Sequence, residues 1–128
     1  MISLAIHDAL VAFDAQMRGH GVIGYNGLNS LCRDFEDEVE VVKADLGPRH
    51  AYGVCQLRRQ VILLDVNLDV SQEQRTLIHE VAHWLAYKVY GDRGHGRFWR
   101  RTMRWLGDDG WKRYVNSPEE MAAEEHDV

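Results

Sequence analysis

Two histidines four residues apart, with a glutamate beside the first, form the HEVAH stretch at residues 79–83. On a helix, positions i and i+4 lie on the same face one turn apart, so His79 and His83 can bind the same metal ion. Glu80 can then direct its carboxylate at a water on that ion, which is the arrangement of zinc hydrolases. A catalytic zinc takes three protein ligands and keeps one position open. His95 is the predicted third ligand, because the glycines on both sides of it let the backbone approach closely.

Other interpretations of these residues stay open on the sequence. In zinc hydrolases of the glutamate type the third ligand is a carboxylate from a later helix, and three residues could supply it: Glu119, Glu120 and Glu124. The two histidines could also be ordinary half-buried helix residues, since HExxH arises by chance. A capped helix around them and the Gly-His-Gly stretch at residues 94–96 favour the metal site.

The chemistry that such a site supports is hydrolysis of an amide, with a peptide bond as the usual substrate. Zinc bound by neutral histidines lowers the pKa of its water toward about 7. Glu80 would accept the proton as general base and pass it to the leaving amine, so it should not itself bind the metal. A further donor to the oxyanion is expected, and the candidates are Tyr87, Tyr90 and Tyr114.

The HEVAH stretch lies inside a helix predicted over residues 72–90. Ser71 followed three residues later by Gln74 is the pattern of a capping box, and Gly91 fits the left-handed position after a helix end. The apolar residues between them recur at helical spacing: Leu77, Ile78, Val81, Ala82, Leu85 and Val89. A second helix is predicted over residues 97–106, and its apolar side is formed by Phe98, Thr102, Trp105 and Leu106.

Three strands are predicted between two N-terminal helices and the HEVAH helix. The helices cover residues 2–18 and about 28–35, and the strands cover residues 39–44, 50–58 and 60–65. We expect a small three-stranded antiparallel sheet packed on the metal-binding helix. The predicted fold class is therefore α+β, a compact zincin-like domain over residues 1–128 with an acidic tail over about 116–128.

The composition indicates one globular domain in a reducing compartment. The 128 residues are 45% hydrophobic and 27% charged, and no apolar run reaches the length of a membrane span. The N-terminal residues have neither a basic start nor a long apolar core, so a secretory signal is not expected and the cytoplasm is the predicted location. Cys32 and Cys55 form no C-x-x-C pair, and we interpret both as small buried residues.

The net charge of −5 is unevenly distributed along the chain. Acidic residues cluster at residues 34–40 and 119–127. A basic group lies between them, close to the candidate metal site: Lys88, Arg93, Arg97, Arg100, Arg101, Arg104, Lys112 and Arg113. Such asymmetry is found on nucleic-acid-binding surfaces. It also fits a solvated basic helix face that balances acidic neighbours, and charge alone favours this second interpretation.

From residue 51 to residue 107 the chain resembles the SprT-like (Spartan-type) family of zinc metallopeptidases. The matching segments are AYGVC at 51–55, ILL at 62–64, TLIHEVAH at 76–83 and GHGRF at 94–98, and they end near residues 103–107. The resemblance implies that His79, His83 and His95 bind zinc and that Glu80 is the catalytic residue. It also implies a compact helical domain with a three-stranded antiparallel sheet.

The resemblance further implies a protein substrate and, as for family members activated by DNA, single-stranded DNA as a partner. Many members carry a C-terminal zinc ribbon with four cysteines, whereas this chain has no cysteine after Cys55. DNA would therefore contact the catalytic domain itself, through Arg97, Arg100, Arg101 and Arg104, with Trp99 and Trp105 available for base stacking. Tryptophans are more often core residues, and that interpretation of both stays open. Two alternatives stay open: an accessory protease with one dedicated target and no DNA dependence, or a non-catalytic zinc-stabilised module that binds nucleic acid or protein.

Overall fold

The computed structural model describes residues 3–21, 24–47, 52–115 and 118–125, which form five α-helices, one 3-10 helix and three β-strands. In chain order they are α1 (Leu4–His20), α2 (Leu28–Glu38), β1 (Glu40–Ala44), β2 (Gly53–Gln56), β3 (Val61–Asp65), α3 (Val70–Tyr90), α4 (Arg97–Trp105), the 3-10 helix (Gly110–Tyr114) and α5 (Pro118–Glu125). The α+β class predicted from the sequence is confirmed. Residues 118–125 of the predicted tail form α5, whereas residues 2, 50, 51, 116, 117 and 126–128 of predicted segments lie outside the described residues.

The sheet is mixed rather than antiparallel, which corrects the sequence prediction. Its strand order is β1-β3-β2, with β1 parallel and β2 antiparallel to β3. β2 and β3 form a hairpin through residues 57–60, and β3 lies between the other two strands. The prediction failed because hydrophobic alternation sets which face of a strand is buried but not which strand is its neighbour.

α3 begins two residues before its predicted start. Asp69 is the N-cap: its carboxylate accepts a hydrogen bond from the Gln72 backbone N–H (2.8 Å), and the Gln72 side chain accepts one from the Asp69 N–H (3.0 Å). Ser71 and Gln74, the predicted capping pair, have the same spacing but lie inside the helix. Spacing alone could not separate the two pairs. The helix ends as predicted at Gly91, which is left-handed (φ 73°).

α3 lies between two clusters of buried side chains. On one side it packs with α1, α2 and β3 in a cluster that includes Phe13, Ile62 and Leu85. On the other side it packs with α4 and the 3-10 helix in a cluster that includes Trp99 and Trp111. A helix packed at interior density on both sides has little room to shift, which is what a precise site built on it requires.

Two sequence expectations concern the environment of the chain. Within the described residues, no helix combines the length and apolar character needed to cross a bilayer. Cys32 and Cys55 are free thiols and half-buried. Burial, with the nearby Glu80 charge, raises the pKa of Cys55 to about 12, so this thiol stays protonated and packs as a small side chain.

Candidate metal centre

Three imidazoles meet at one point between α3 and the segment that leads into α4. The Nε2 atoms of His79, His83 and His95 form a triangle in which each pair is 3.2 Å apart. His79 and His83 come from successive turns of α3, and His95 precedes α4. Among the described residues, these three form the group of side chains able to hold a metal ion.

The triangle has the dimensions of a tetrahedral metal site. Tetrahedral zinc with bonds of about 2.0–2.1 Å puts two ligand nitrogens about 3.3 Å apart, close to the 3.2 Å between these atoms. The three contacts cannot all be hydrogen bonds. Each imidazole nitrogen is either a donor or an acceptor, so among three nitrogens at least one pair consists of two donors or two acceptors. Facing lone pairs repel unless a cation lies among them, so the donor set fits a metal ion.

Burial keeps the three imidazoles neutral. Loss of solvent lowers the pKa of His79 to about 4 and that of His83 to about 3, and it also lowers the pKa of His95. The charges of His95 and Arg113 lower the pKa of His79 further. Neutral imidazoles present the lone pairs that a metal ion needs at neutral pH.

Glu80 lies beside the triangle with a buried carboxylate. Its Oε1 atom is 3.7 Å from His79 Nε2, and the residue is 4% exposed. Its Oε2 atom is buried and has no hydrogen-bond partner among the described residues. Burial raises the pKa of Glu80 to about 7. A carboxyl group with a raised pKa beside the three histidines is suited to accept a proton.

β2 approaches α3 closely at Glu80. A Cβ atom at Gly53 would lie 2.5 Å from Thr76 Cγ2, 3.0 Å from the Leu63 carbonyl oxygen and 3.4 Å from Glu80 Cγ. The strand can pack this close to the helix because residue 53 has no side chain. The glycine of the AYGVC segment therefore helps to position Glu80.

The sequence model of the SprT-like family matches residues 27–119 of the chain. The chain belongs to the SprT-like family. The match includes α2, the whole sheet, α3, α4 and the 3-10 helix, and so extends beyond residues 51–107, where the sequence resemblance was found. A search of curated proteins and a search of solved structures each give no match.

Trp99, one of the two tryptophans considered for stacking on nucleobases, packs against the histidines of this SprT-like site. Trp99 is completely buried. Its ring stacks on His83 at 5.1 Å with the planes 22° apart, and its Nε1–H donates to the His79 carbonyl oxygen (3.3 Å). Trp105 is also buried. Burial agrees with the interpretation of both tryptophans as core residues and leaves neither ring accessible to a base. Trp99 supports the three histidines instead.

The four arginines predicted to contact nucleic acid differ in their surroundings. Arg100 donates to the His95 carbonyl oxygen (2.7 Å). Arg101 donates to a tyrosine hydroxyl of α3 (2.6 Å), and the Arg104 guanidinium lies 5.0 Å from a tryptophan ring of the 3-10 helix. Arg97 is exposed in the first turn of α4. Arg100, Arg101 and Arg104 therefore contribute to the local structure of the SprT-like domain.

Of the three tyrosines considered as oxyanion donors, Tyr114 lies at the metal centre. Its ring stacks on the His95 ring, with the centroids 3.9 Å apart and the planes 10° apart. Tyr87 and Tyr90 lie in the last turn of α3, where their hydroxyls accept hydrogen bonds from arginine side chains. The structure thus brings one of the three candidates to the histidines.

Of the glutamates considered as alternative third ligands, the structure describes the side chain of Glu119 alone, and it is not part of the histidine group. Glu119 is exposed near the start of α5. The side chains of Glu120 and Glu124 lie outside the described part of the chain. His95 is the third donor that the structure brings to His79 and His83.

Sequence analysis missed Asp92, which orders the segment that carries His95. Its Oδ1 atom accepts a hydrogen bond from the Gly94 N–H, and its Oδ2 atom accepts one from the Trp99 N–H, both at 3.1 Å. An aspartate followed two residues later by glycine is a turn signal. That signal was present in the sequence, but it does not indicate a link to a metal site.

Proposed function

We propose that this SprT-like protein is a zinc metalloendopeptidase in which Glu80 is the general base for hydrolysis of a peptide bond. The observation that carries the proposal is the triangle of histidine Nε2 atoms with the Glu80 carboxylate beside it, whose Oε1 atom is 3.7 Å from His79 Nε2. A structural zinc site usually closes with four protein ligands, whereas this group has three among the described residues. The free position and the free carboxylate favour an enzyme over a purely structural module.

Zinc is the metal ion that the donor set favours. Imidazole ligands also suit copper, iron and nickel, but three protein ligands and an open position are the arrangement of catalytic zinc. When bound to His79, His83 and His95, zinc would supply Lewis acidity, which polarises a carbonyl group and acidifies water. All three ligands are neutral at pH 7, so the site would keep the full positive charge of the ion.

The proton transfers fall to Glu80. As a water oxygen bonds to the scissile carbonyl carbon, a Glu80 oxygen accepts the proton that the water loses. When the C–N bond breaks, the same carboxyl group gives this proton to the leaving amine nitrogen. Burial raises the pKa of this carboxyl group above its ordinary value, which makes it a stronger base for the first of these steps.

The position of β2 supports an extended protein segment as the substrate. β2 is an edge strand of the described sheet, and it packs against α3 at Glu80 through Gly53. An extended peptide can add to such an edge through backbone hydrogen bonds. Its peptide bonds would then run beside Glu80, and recognition through the backbone would allow many different sequences to bind.

Proteolysis of an unfolded protein and of a histone by the zinc-loaded protein tests this proposal. We expect the wild type to cleave, and Glu80→Gln, which keeps the shape of the side chain, to cleave at least about 100-fold more slowly. Glu73→Gln, which removes another glutamate of α3, is the matched control and should retain activity. Cleavage by Glu80→Gln at the wild-type rate would overturn the proposal.

Single-stranded DNA is the partner that we propose for the surface beside the site. The support is the position of four exposed basic residues. Arg93 and Arg97 flank the Gly-His-Gly stretch at residues 94–96, and Lys112 and Arg113 lie in the 3-10 helix directly before the tyrosine that stacks on His95. Contacts to phosphates release counterions, so binding should weaken steeply as salt is added.

Adding single-stranded DNA to the cleavage assay separates two kinds of protease. In the wild type, a DNA-linked function predicts that DNA accelerates cleavage. The acceleration should be smaller in a variant that carries both Arg97→Ala and Arg113→Ala. Arg59→Ala, in the exposed turn between β2 and β3, is the control for loss of a surface charge. Cleavage that ignores DNA would indicate a dedicated protein target instead.

A further inference from the structure

The third histidine of the metal centre lies outside any helix or strand. His79 and His83 are held by the hydrogen bonds of α3, but His95 belongs to residues 91–96, which connect α3 to α4. A metal ligand must stand within a few tenths of an ångström of its working position. Something other than regular secondary structure must therefore hold His95 against the other two.

A single carboxylate joins both ends of the segment around His95. Asp92 Oδ1 accepts a hydrogen bond from the Gly94 N–H, one residue before the histidine, and Asp92 Oδ2 accepts one from the Trp99 N–H, four residues after it, each at 3.1 Å. The Asp92 N–H in turn donates to the carbonyl oxygen of Ala86 in α3 (3.3 Å). The segment is thus anchored to α3 at one end and to α4 at the other.

Asp92 also takes the place of the missing N-cap side chain of α4. Trp99 is the third residue of this helix, whose N–H is normally accepted by the N-cap side chain. The N-cap is Gly96, which has no side chain. A Cβ atom at Gly96 would lie 2.8 Å from Asp92 Oδ2 and 3.1 Å from Oδ1, so the carboxylate fills the space that such a side chain would need.

We propose that Asp92 is a positioning residue of the metal centre, which fixes His95 without binding the metal. The inference rests on the proposed metal binding by the three histidines. Asp92 is not in the group of side chains that can share an ion. Its effect acts through the backbone on either side of His95, so its loss should release the third ligand and leave His79 and His83 in place.

Zinc affinity, measured by competition with a chromophoric chelator, tests the inference. We expect Asp92→Ala to weaken zinc binding by about 10- to 100-fold, which is typical for the loss of a group that orients a ligand. Asp92→Asn should be intermediate, because its amide oxygen can still accept from one N–H while its NH₂ group cannot accept from the other. Asp45→Ala removes a carboxylate from the same Asp-x-Gly turn elsewhere in the chain and should leave affinity unchanged.

Cobalt substitution separates positioning from general destabilisation. The visible spectrum of bound Co²⁺ reports the number and geometry of its ligands. We expect the spectrum of the Asp92→Ala protein to resemble that of His95→Ala, whereas a variant that is only less stable would keep the wild-type spectrum. If Asp92→Ala does not fold, Asp92→Asn replaces it. Wild-type zinc affinity and a wild-type cobalt spectrum in the variant would overturn the inference.

The metal-free protein provides a test that does not depend on the proposed function. Nuclear Overhauser contacts between the rings of His95 and Tyr114, which stack in the structure, should weaken in Asp92→Ala and persist in Asp45→Ala. Unchanged contacts would overturn the positioning role. A wild type that binds no metal, but loses these contacts in Asp92→Ala, would refute the proposed function while supporting the role of Asp92.

Discussion

Glu80 and the histidines around it respond to burial in opposite ways. Burial raises the pKa of Glu80 to about 7 and lowers that of His79 to about 4, because loss of water disfavours the charged form in both cases. The metal-free site therefore carries little charge at mildly acidic pH. A divalent cation among the imidazoles would favour the ionised form of Glu80, so metal binding and deprotonation of Glu80 should be coupled.

The raised pKa of Glu80 predicts a pH-dependent stability difference in the metal-free protein. Between about pH 4.5 and 7, the folded state holds a proton on Glu80 that the unfolded state has lost, so this residue lowers stability as pH rises. The free energy of unfolding of Glu80→Gln, minus that of the wild type, should grow across this window by roughly 3 kcal/mol and then stay constant. Urea denaturation at several pH values measures this difference.

The histidines act in the opposite direction but cancel in this comparison. Their lowered pKa values mean that the unfolded state takes up protons as pH falls below about 6.5, which reduces stability toward acid. Both proteins contain the same histidines, so the difference isolates Glu80. A difference that does not vary with pH would show that Glu80 is not held in its protonated form.

The phenol of Tyr114 is the oxyanion donor that we propose among the three tyrosines. Tyr114→Phe keeps the ring that stacks on His95, so zinc content should not change. Loss of one oxyanion donor typically lowers kcat by about 100-fold or more, and we expect a decrease of this size. Tyr87→Phe is the matched control, since the Tyr87 hydroxyl contacts Arg93 instead. An unchanged kcat in Tyr114→Phe would leave this residue only its stacking role.

The close packing of β2 against α3 depends on Gly53. We expect Gly53→Ala to destabilise the fold by roughly 1–3 kcal/mol, because its Cβ would lie 2.5 Å from Thr76 Cγ2. Adding Thr76→Ser removes that methyl group and should restore part of the loss, which a double-mutant cycle of denaturant midpoints would measure. Gly19→Ala has open space and serves as control. Equal stability of the single variant and the wild type would contradict the close packing.

How far the sequence predicts each element depends on how local its determinants are. The ends of α3 were predicted within two residues, because Gly91 and a capping pair are local signals. The strand order was not predicted, because it depends on pairings between segments that are distant in the sequence. α4 was predicted with an apolar side that omitted Trp99, which proved to be completely buried. The many arginines of this helix concealed the inner face, because their stems and guanidinium groups pack over aromatic rings.

In the candidate site, too, the residues set by local sequence signals were predicted and those set by packing between helices were not. HExxH on a capped helix places two histidines and Glu80 by local geometry, and Gly-His-Gly drew attention to His95. The supporting residues Asp92 and Trp99 were not recognised, because a turn-forming aspartate and a core tryptophan have many other uses in proteins. Their link to the site appears only when α3 and α4 are packed together.

The three histidines come from α3 and from the segment before α4, so zinc bound by all of them should stabilise the fold. Zinc at about 100 times its dissociation constant adds about 2.7 kcal/mol, which for a domain of this size raises Tm on the order of 10 °C. Differential scanning calorimetry with zinc and with a chelator measures the shift. His95→Ala should show a much smaller shift, and an equal shift in that variant would place the ion elsewhere.

Because β3 lies at the centre of the sheet, the sheet can form only in a certain order during synthesis of the chain. β1 emerges from the ribosome first, but its hydrogen-bonding neighbour follows only after β2 has been made. All three histidines are encoded after β3. Because chains are synthesised from the N-terminus, the ligands emerge only once every strand that supports α3 is available. The nascent chain therefore presents the three ligands after the strands that support α3 and before Trp99 and the rest of α4 have emerged.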